Sequence, residues 1–243
     1  MKKIFVIGIG PGEESYMTPA AKEAILASDV VIGYKTYIDL IPHLVENKKV
    51  IDSGMKKEIE RCNLALDLAE EGSTVSLVSS GDPGIYGMAG AMLEVKGQRD
   101  STVIIEVIPG VTAVSAAAAV LGAPLMHDFT VISLSDLLTD WEVIKKRLHL
   151  AAEGDFVIAL YNPKSKGRVT QIEEARDILL KYRKKETPVG IVRNAKREGE
   201  AHMITTLDEM LQHPIDMLTV VIIGNSNTFI QGNKIITPRG YAL

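Results

Sequence analysis

Short apolar runs rich in β-branched residues recur along the first half of the chain, at Ile4–Ile7, Val30–Ile32, Val75–Val78 and Val103–Ile108. Each ends in glycine, proline, serine or a charged residue, which is the pattern of buried strands. Helical patterns fill the intervals at Pro19–Ala27 and Lys57–Glu70, and this alternation predicts a parallel sheet with crossover helices. Thr18 before Pro19 supplies an N-cap followed by proline at the first helical position. A further short strand is expected around Val50-Ile51.

The alanine-rich segment Ala113–Ala119, bounded by Gly110 and Gly122, is too short to span a bilayer and reads as a closely packed helix. A break is expected at Gly122-Ala123-Pro124, dividing the chain into an N-terminal α/β domain, 1–122, and a C-terminal one, 123–243. Strands are expected in the second half near Phe129–Ser133, Phe156–Leu160, Val189–Val192 and Val220–Ile223, with helices near Trp141–Ala151 and Gln171–Tyr182. A last strand at Lys234–Ile236 follows no helix, which predicts a mixed sheet. The fold class expected is therefore α/β, with a parallel-rich sheet followed by a mixed one.

Composition narrows the function classes. At 243 residues and 46% hydrophobic, the chain can bury one large core or two modest ones. A net charge of -4 gives no global pull toward nucleic acid or an anionic membrane, so an anionic ligand must be held by local cations. The single cysteine, Cys62, excludes an internal disulfide framework and a four-thiolate cluster, and a cytoplasmic setting is expected. The opening Met1-Lys2-Lys3 and Ile4–Ile7 mimic a signal peptide, but the run breaks at Gly8 and meets Glu13-Glu14 without a cleavage pattern, so it reads as the first strand.

Three small-residue loops follow predicted strands: Gly8-Ile9-Gly10-Pro11-Gly12, Ser79-Ser80-Gly81-Asp82-Pro83-Gly84 and Pro109-Gly110-Val111-Thr112-Ala113. In open α/β sheets ligands bind beyond the carboxyl ends of strands, where glycine lets the backbone come close. A dinucleotide fingerprint fails at Glu13 and again at Tyr34-Lys35, where a ribose-binding acid belongs; no Gly-Lys-Ser/Thr phosphate loop exists. Asp82 reads either as an acceptor for ligand hydroxyls or amines or as the cap of the following helix, and Thr112 either as a cap or a ligand contact. Leu160–Pro163, Val192–Ala195 and Ile223–Asn225 also end strands in polar or small residues, and two half-sites facing a cleft would account for all six loops. The five histidines lack metal-binding spacing, and no protein-bound metal is expected; Cys62 reads as a small buried hydrophobe.

Together the three loops resemble those of the tetrapyrrole (corrin/porphyrin) methylase family, almost end to end. Gly33–Tyr37, Ser53-Gly54-Met55 with Glu58–Cys62, His127-Asp128-Phe129 leading to Ser133–Thr139, and Tyr161–Ser165 resemble the branch that methylates carbon 17 of precorrin-3B or cobalt-factor III in cobalamin synthesis. The resemblance implies a two-domain homodimer with S-adenosylmethionine in the cleft between domains, and a carboxylated tetrapyrrole substrate, metal-free or cobalt-loaded, methylated with ring contraction. It implies cofactor contacts at Pro11, Gly81, Asp82, Ile85, Thr112, Ala113, Tyr161 and Ala195. Many relatives have Met-Gly where this chain has Tyr161-Asn162, and some carry an acid where it has Tyr34-Lys35. Asp82, Tyr34 and Tyr161 are the acid/base candidates, with Tyr86 and Asp136 behind them. Lys35, Arg61, Lys164, Lys166 and Arg168 are the cations expected to meet substrate carboxylates.

Overall fold

The structure, a computed structural model, describes residues 2–54 and 56–242. Its first half is a five-stranded sheet of β1 (Lys3–Gly8), β2 (Val30–Tyr34), β3 (Lys49–Ser53), β4 (Thr74–Ser79) and β5 (Ile104–Ile108). The order is β3-β2-β4-β1-β5 and every pairing is parallel, as the alternation predicted. Period-two alternation sends side chains to both faces. Ile4, Val6, Val30, Ile32, Val75 and Leu77 pack with residues of α4 (Glu58–Glu70) and α5 (Ala89–Gln98). Ile7, Val31 and Val78 pack instead with α1 (Pro19–Leu26) and the short α2 (Lys35–Ile38) and α3 (Pro42–Val45). Thr18 caps α1 as expected, its Oγ1 accepting the Ala21 N–H at 3.2 Å.

Cys62 lies on α4, fully buried, as the sequence suggested. Burial pushes its thiol up to about 11, against the pull of Arg61. An unfolded thiol loses its proton near pH 8.5, so between there and pH 11 the unfolded chain binds fewer protons and this group's contribution to stability falls as pH rises. In urea unfolding at pH 8 and pH 10.5, Cys62→Ala should lose less stability between the two than the parent does. An identical loss in both proteins would contradict the shift.

The second half carries α6 (Ala113–Leu121), α7 (Trp141–Glu153), α8 (Gln171–Leu179) and a sheet of β7 (Phe129–Ser133), β8 (Val157–Tyr161), β9 (Pro188–Arg193), β10 (Ala201–Thr206) and β11 (Thr219–Ile223). Its order is β10-β9-β11-β8-β7; only β7–β8 is parallel, so the sheet is mixed. The mixing comes from β11 and β10 and not, as expected, from Lys234–Ile236. That segment, β13, pairs with β12 (Phe229–Gln231) and β6 (Gly122–Ala123) in a separate three-stranded sheet. Asp140 caps α7 by accepting the Glu142 N–H at 2.7 Å.

The chain divides into two compact units, 1–113 and 114–243, nine residues ahead of the boundary expected at 122/123. The reason lies in α6, whose Leu121 fills the space left by Gly190 on β9; a Cβ at Gly190 would stand 2.2 Å from the Leu121 Cδ1. No helix among the described residues is long and apolar enough to cross a membrane.

Candidate active site

All five strands of the first unit run the same way, so the loops that follow them share one edge. β4, β1 and β5 are neighbours in the sheet, which brings the three glycine loops side by side. Gly10 and Gly81 form an antiparallel bridge, N–H to O at 3.1 and 2.7 Å, with φ of +75° and +67° that side-chain-bearing residues rarely adopt. Gly8 and Gly110 are sealed by their neighbours. A Cβ at Gly110 would lie 2.2 Å from the Gly81 carbonyl oxygen and 2.7 Å from that of Gly8.

Asp82 stitches this cluster. Its Oδ1 accepts the Gly84 N–H at 2.8 Å and its Oδ2 the Gly110 N–H at 3.0 Å, from the loop after β5. It is therefore not the helix cap that one reading proposed: α5 starts only at Ala89, after an N-cap residue, Met88, that makes no side-chain capping bond. Gly84–Gly87 is exposed, with Ile85 and Tyr86 projecting and Tyr86 at φ +55°. Pro11 and Gly81 are buried in the loop cluster, and Thr112 directly precedes α6, whose first residue is Ala113.

At the same edge Tyr34 ends β2, half-buried, its ring edge-on to Tyr37 at 5.2 Å. Lys35 is exposed and pairs with Asp39 at 3.1 Å, an interaction that raises its pKa. Arg61 is buried and spent on its own surroundings: Ser53 Oγ at 2.8 Å, the Gly54 carbonyl at 2.9 Å and Glu58 at 3.3 Å. Met55 of the Ser53-Gly54-Met55 string lies outside the described residues.

In the second unit β8 is parallel to β7, and both β8 and β9 run antiparallel to β11. The ends of β7, β8 and β9 therefore share an edge with the start of β11. That edge collects Ser133–Asp136, Tyr161–Arg168, Arg193–Arg197 and Asp216–Thr219. Ile223-Gly224-Asn225 belongs to the opposite edge, where the Gly224 N–H bonds the carbonyl of Pro188 at the start of β9, so it leaves the set of six. The Tyr161 hydroxyl accepts the Val114 N–H in the first turn of α6 at 2.6 Å. Asn162, at φ +49°, donates to Ser133 Oγ at 2.9 Å. Nothing in local sequence marks Ser133 as that partner. Ala195 is buried between Asn194 and Lys196, both in the left-handed region.

Arg193 is engaged by Asp216 at 2.7 Å. Burial pushes the Asp216 carboxyl up, but Arg193, the Leu218 N–H and Thr219 outweigh it and hold the group below its ordinary value. Asp136 accepts from Gln171 at 2.8 Å, and His127 Nδ1 takes the N–H of Asp128 at 2.8 Å. Lys164 is half-buried and Lys166 exposed.

Two α/β units, the first with glycine loops interlocked at the carboxyl edge of a parallel sheet and no phosphate fingerprint, define a small-molecule-binding protein outside the dinucleotide class. A model of the Tetrapyrrole (Corrin/Porphyrin) Methylases matches residues 3–211, and the chain belongs to that family. It is 52% identical over 238 residues to the probable cobalt-factor III C(17)-methyltransferase of Salmonella typhimurium, covering 98% of this chain and 99% of that protein. It is 53% identical to the cobalt-factor III methyltransferase of Priestia megaterium over 98% of its own length, but spans only 45% of that longer protein. Among solved structures, that of the methyltransferase CobJ superposes with a TM-score of 0.92 at 37% identity, covering 97% of this chain and 99% of the other.

Proposed function

We propose that the protein is an S-adenosylmethionine-dependent C-methyltransferase of corrin synthesis, acting at carbon 17 of cobalt-factor III or precorrin-3B with ring contraction. The observation that carries this reading is the interlocked Gly8, Gly81 and Gly110 edge with Asp82 at its centre. The relatives' names favour the cobalt-loaded substrate.

The first unit's edge fits the donor in its chemistry. A carboxylate offers about four acceptor positions, and the two backbone bonds that Asp82 accepts leave room for ligand hydroxyls or an ammonium. Exposed Ile85 offers an apolar surface for a purine, and the buried backbone of Pro11 and Gly81 makes a firm wall. In this reading Pro11, Gly81, Asp82, Ile85, Thr112 and Ala113 hold the donor. When bound, the sulfonium supplies a methyl group already activated for transfer. The chain's residues then need only align it and exclude water, the terms through which position alone lowers a barrier. Tyr34, with its phenol at the end of β2, is the proton-handling candidate for ring contraction, with Asp82 and Tyr161. The enzyme works as a homodimer in this reading, which sedimentation tests.

Anaerobic turnover with cobalt-factor III and precorrin-3B in parallel tests the proposal. Formation of S-adenosylhomocysteine and a product methylated at carbon 17 by NMR is expected. Methylation at another carbon would make it a sibling enzyme, and donor binding without turnover a sensor.

A further inference from the structure

Of the cations expected to meet substrate, Arg168 alone is a buried charge with no acid. It is 8% exposed, and its Nε is buried without a hydrogen-bond partner. Its Nη2 reaches only the Asn162 carbonyl at 2.8 Å and Met217 Sδ at 3.4 Å. No carboxylate pairs with it among the described residues. Arg183 makes the contrast: its Nε is also orphaned, but Asp155 lies 3.1 Å from its Nη1, which also bonds the Ala152 carbonyl near the end of α7. Arg183 is compensated inside the fold, and Arg168 is not. An arginine stays charged at any accessible pH, and a buried charge without a counter-ion is strongly disfavoured, so it calls for an anion from outside the chain.

The position is built to receive one. Ser165 and Arg168 close a tight bridge, N–H to O at 2.8 and 3.3 Å, which fixes the arginine backbone at the carboxyl edge of β8. Asn162, whose carbonyl holds Nη2, is itself held by Ser133 from β7. Lys164 and Lys166 flank it on the same loop, and no ion pair engages either among the described residues.

We propose that Arg168 is the specificity-determining anchor for a carboxylate on the rim of the tetrapyrrole, with Lys164 and Lys166 meeting neighbouring carboxylates. This rests on the methyltransferase reading above. The amino-acid end of the methyl donor also carries a carboxylate. Three cations on one loop, however, suit a polycarboxylate rather than a single acid.

The test compares Arg168→Gln, Arg168→Lys and the double variant Lys164→Gln/Lys166→Gln, each with its melting temperature recorded. For Arg168→Gln the KM for tetrapyrrole should rise at least tenfold with S-adenosylhomocysteine affinity unchanged by calorimetry. Arg168→Lys should recover part of the loss, and the double lysine variant should raise KM a few-fold without altering melting. A lowered melting temperature with KM unchanged would make Arg168 merely structural and overturn the proposal. Weakened S-adenosylhomocysteine binding with tetrapyrrole KM unchanged would assign the carboxylate to the donor and overturn it equally. Should the parent protein turn over neither tetrapyrrole, the methyltransferase reading fails separately. Fluorescence titration with uroporphyrin, an octacarboxylate, then still reads the anchor, with tenfold weaker binding expected in Arg168→Gln and equal binding refuting it.

Discussion

Gly110→Ala is expected to weaken donor binding by about tenfold or more and lower stability together. The new methyl would sit 2.2 Å from the Gly81 carbonyl oxygen, 2.7 Å from that of Gly8 and 2.8 Å from the Gly8 carbonyl carbon. All three atoms are backbone, and Gly81 is pinned by its bridge to Gly10, so no flexible side chain can give way. Overpacking of this kind costs about 1–3 kcal/mol, and here the upper end applies because two loops must separate. For a chain of this size that corresponds to a melting point lower by roughly 6–12 °C. Separating the loops after β4 and β5 also pulls the Gly110 N–H from Asp82, displacing the groups proposed to meet the donor. Losing two or more donor contacts at about 0.5–1.5 kcal/mol each amounts to roughly tenfold to 100-fold in affinity, so S-adenosylhomocysteine binding should weaken by about that much in calorimetry. Gly90→Ala is the control. A Cβ there meets no atom within 4 Å, on α5, so stability should rise by up to about 1 kcal/mol with affinity unchanged. A Gly110→Ala protein that binds the donor normally would separate the loop cluster from the binding site.

The parallel sheet is legible in the sequence because its three central strands, β1, β2 and β4, are largely buried on both faces and read as continuous apolar runs bounded by breakers, while the more exposed edge strands β3 and β5 still carry β-branched pairs at Val50-Ile51 and Ile104-Ile105. β10 escapes the same reading. It is an edge strand whose Ala201, His202 and Met203 are exposed, leaving no apolar alternation to detect. α5 is muted by Gly90 and Gly97, which soften a helical pattern without stopping the helix. The glycine loops are individually visible, but their force comes from the sheet order β4-β1-β5, a long-range fact that no local pattern contains. The Ile223–Asn225 loop carries the same polar signature and falls on the opposite edge, because signature does not encode strand direction. The cations repeat the lesson. Arg61 and Arg168 look alike in sequence, yet one is met by Ser53, Gly54 and Glu58 while the other pairs with no carboxylate among the described residues.

Asp82 caps no helix but ties the loop after β4 to that after β5 at the edge proposed to hold the donor, so its replacement should change folding and binding by separable amounts. Asp82→Ala leaves the N–H groups of Gly84 and Gly110 without their acceptor. Water can reach exposed Gly84, whereas Gly110 is half-buried, so the loss should be near 2 kcal/mol, within the roughly 1–3 kcal/mol cost of an abandoned donor. Asp82→Asn retains one carbonyl oxygen but turns an amide N–H₂ toward one of the two donors, and should lose about 1 kcal/mol. Binding discriminates what these carboxylate oxygens do beyond the stitch. If Asp82 meets ligand hydroxyls or the ammonium directly, S-adenosylhomocysteine affinity should fall tenfold or more in the asparagine variant and further in the alanine one, out of proportion to denaturant stability. If it only ties the loop after β4 to that after β5, the asparagine variant should bind within threefold of the parent although less stable. Unchanged affinity in Asp82→Ala would remove the residue from the site, and the donor contacts would then have to come from the backbone of Gly81 and the side chains of Ile85 and Thr112.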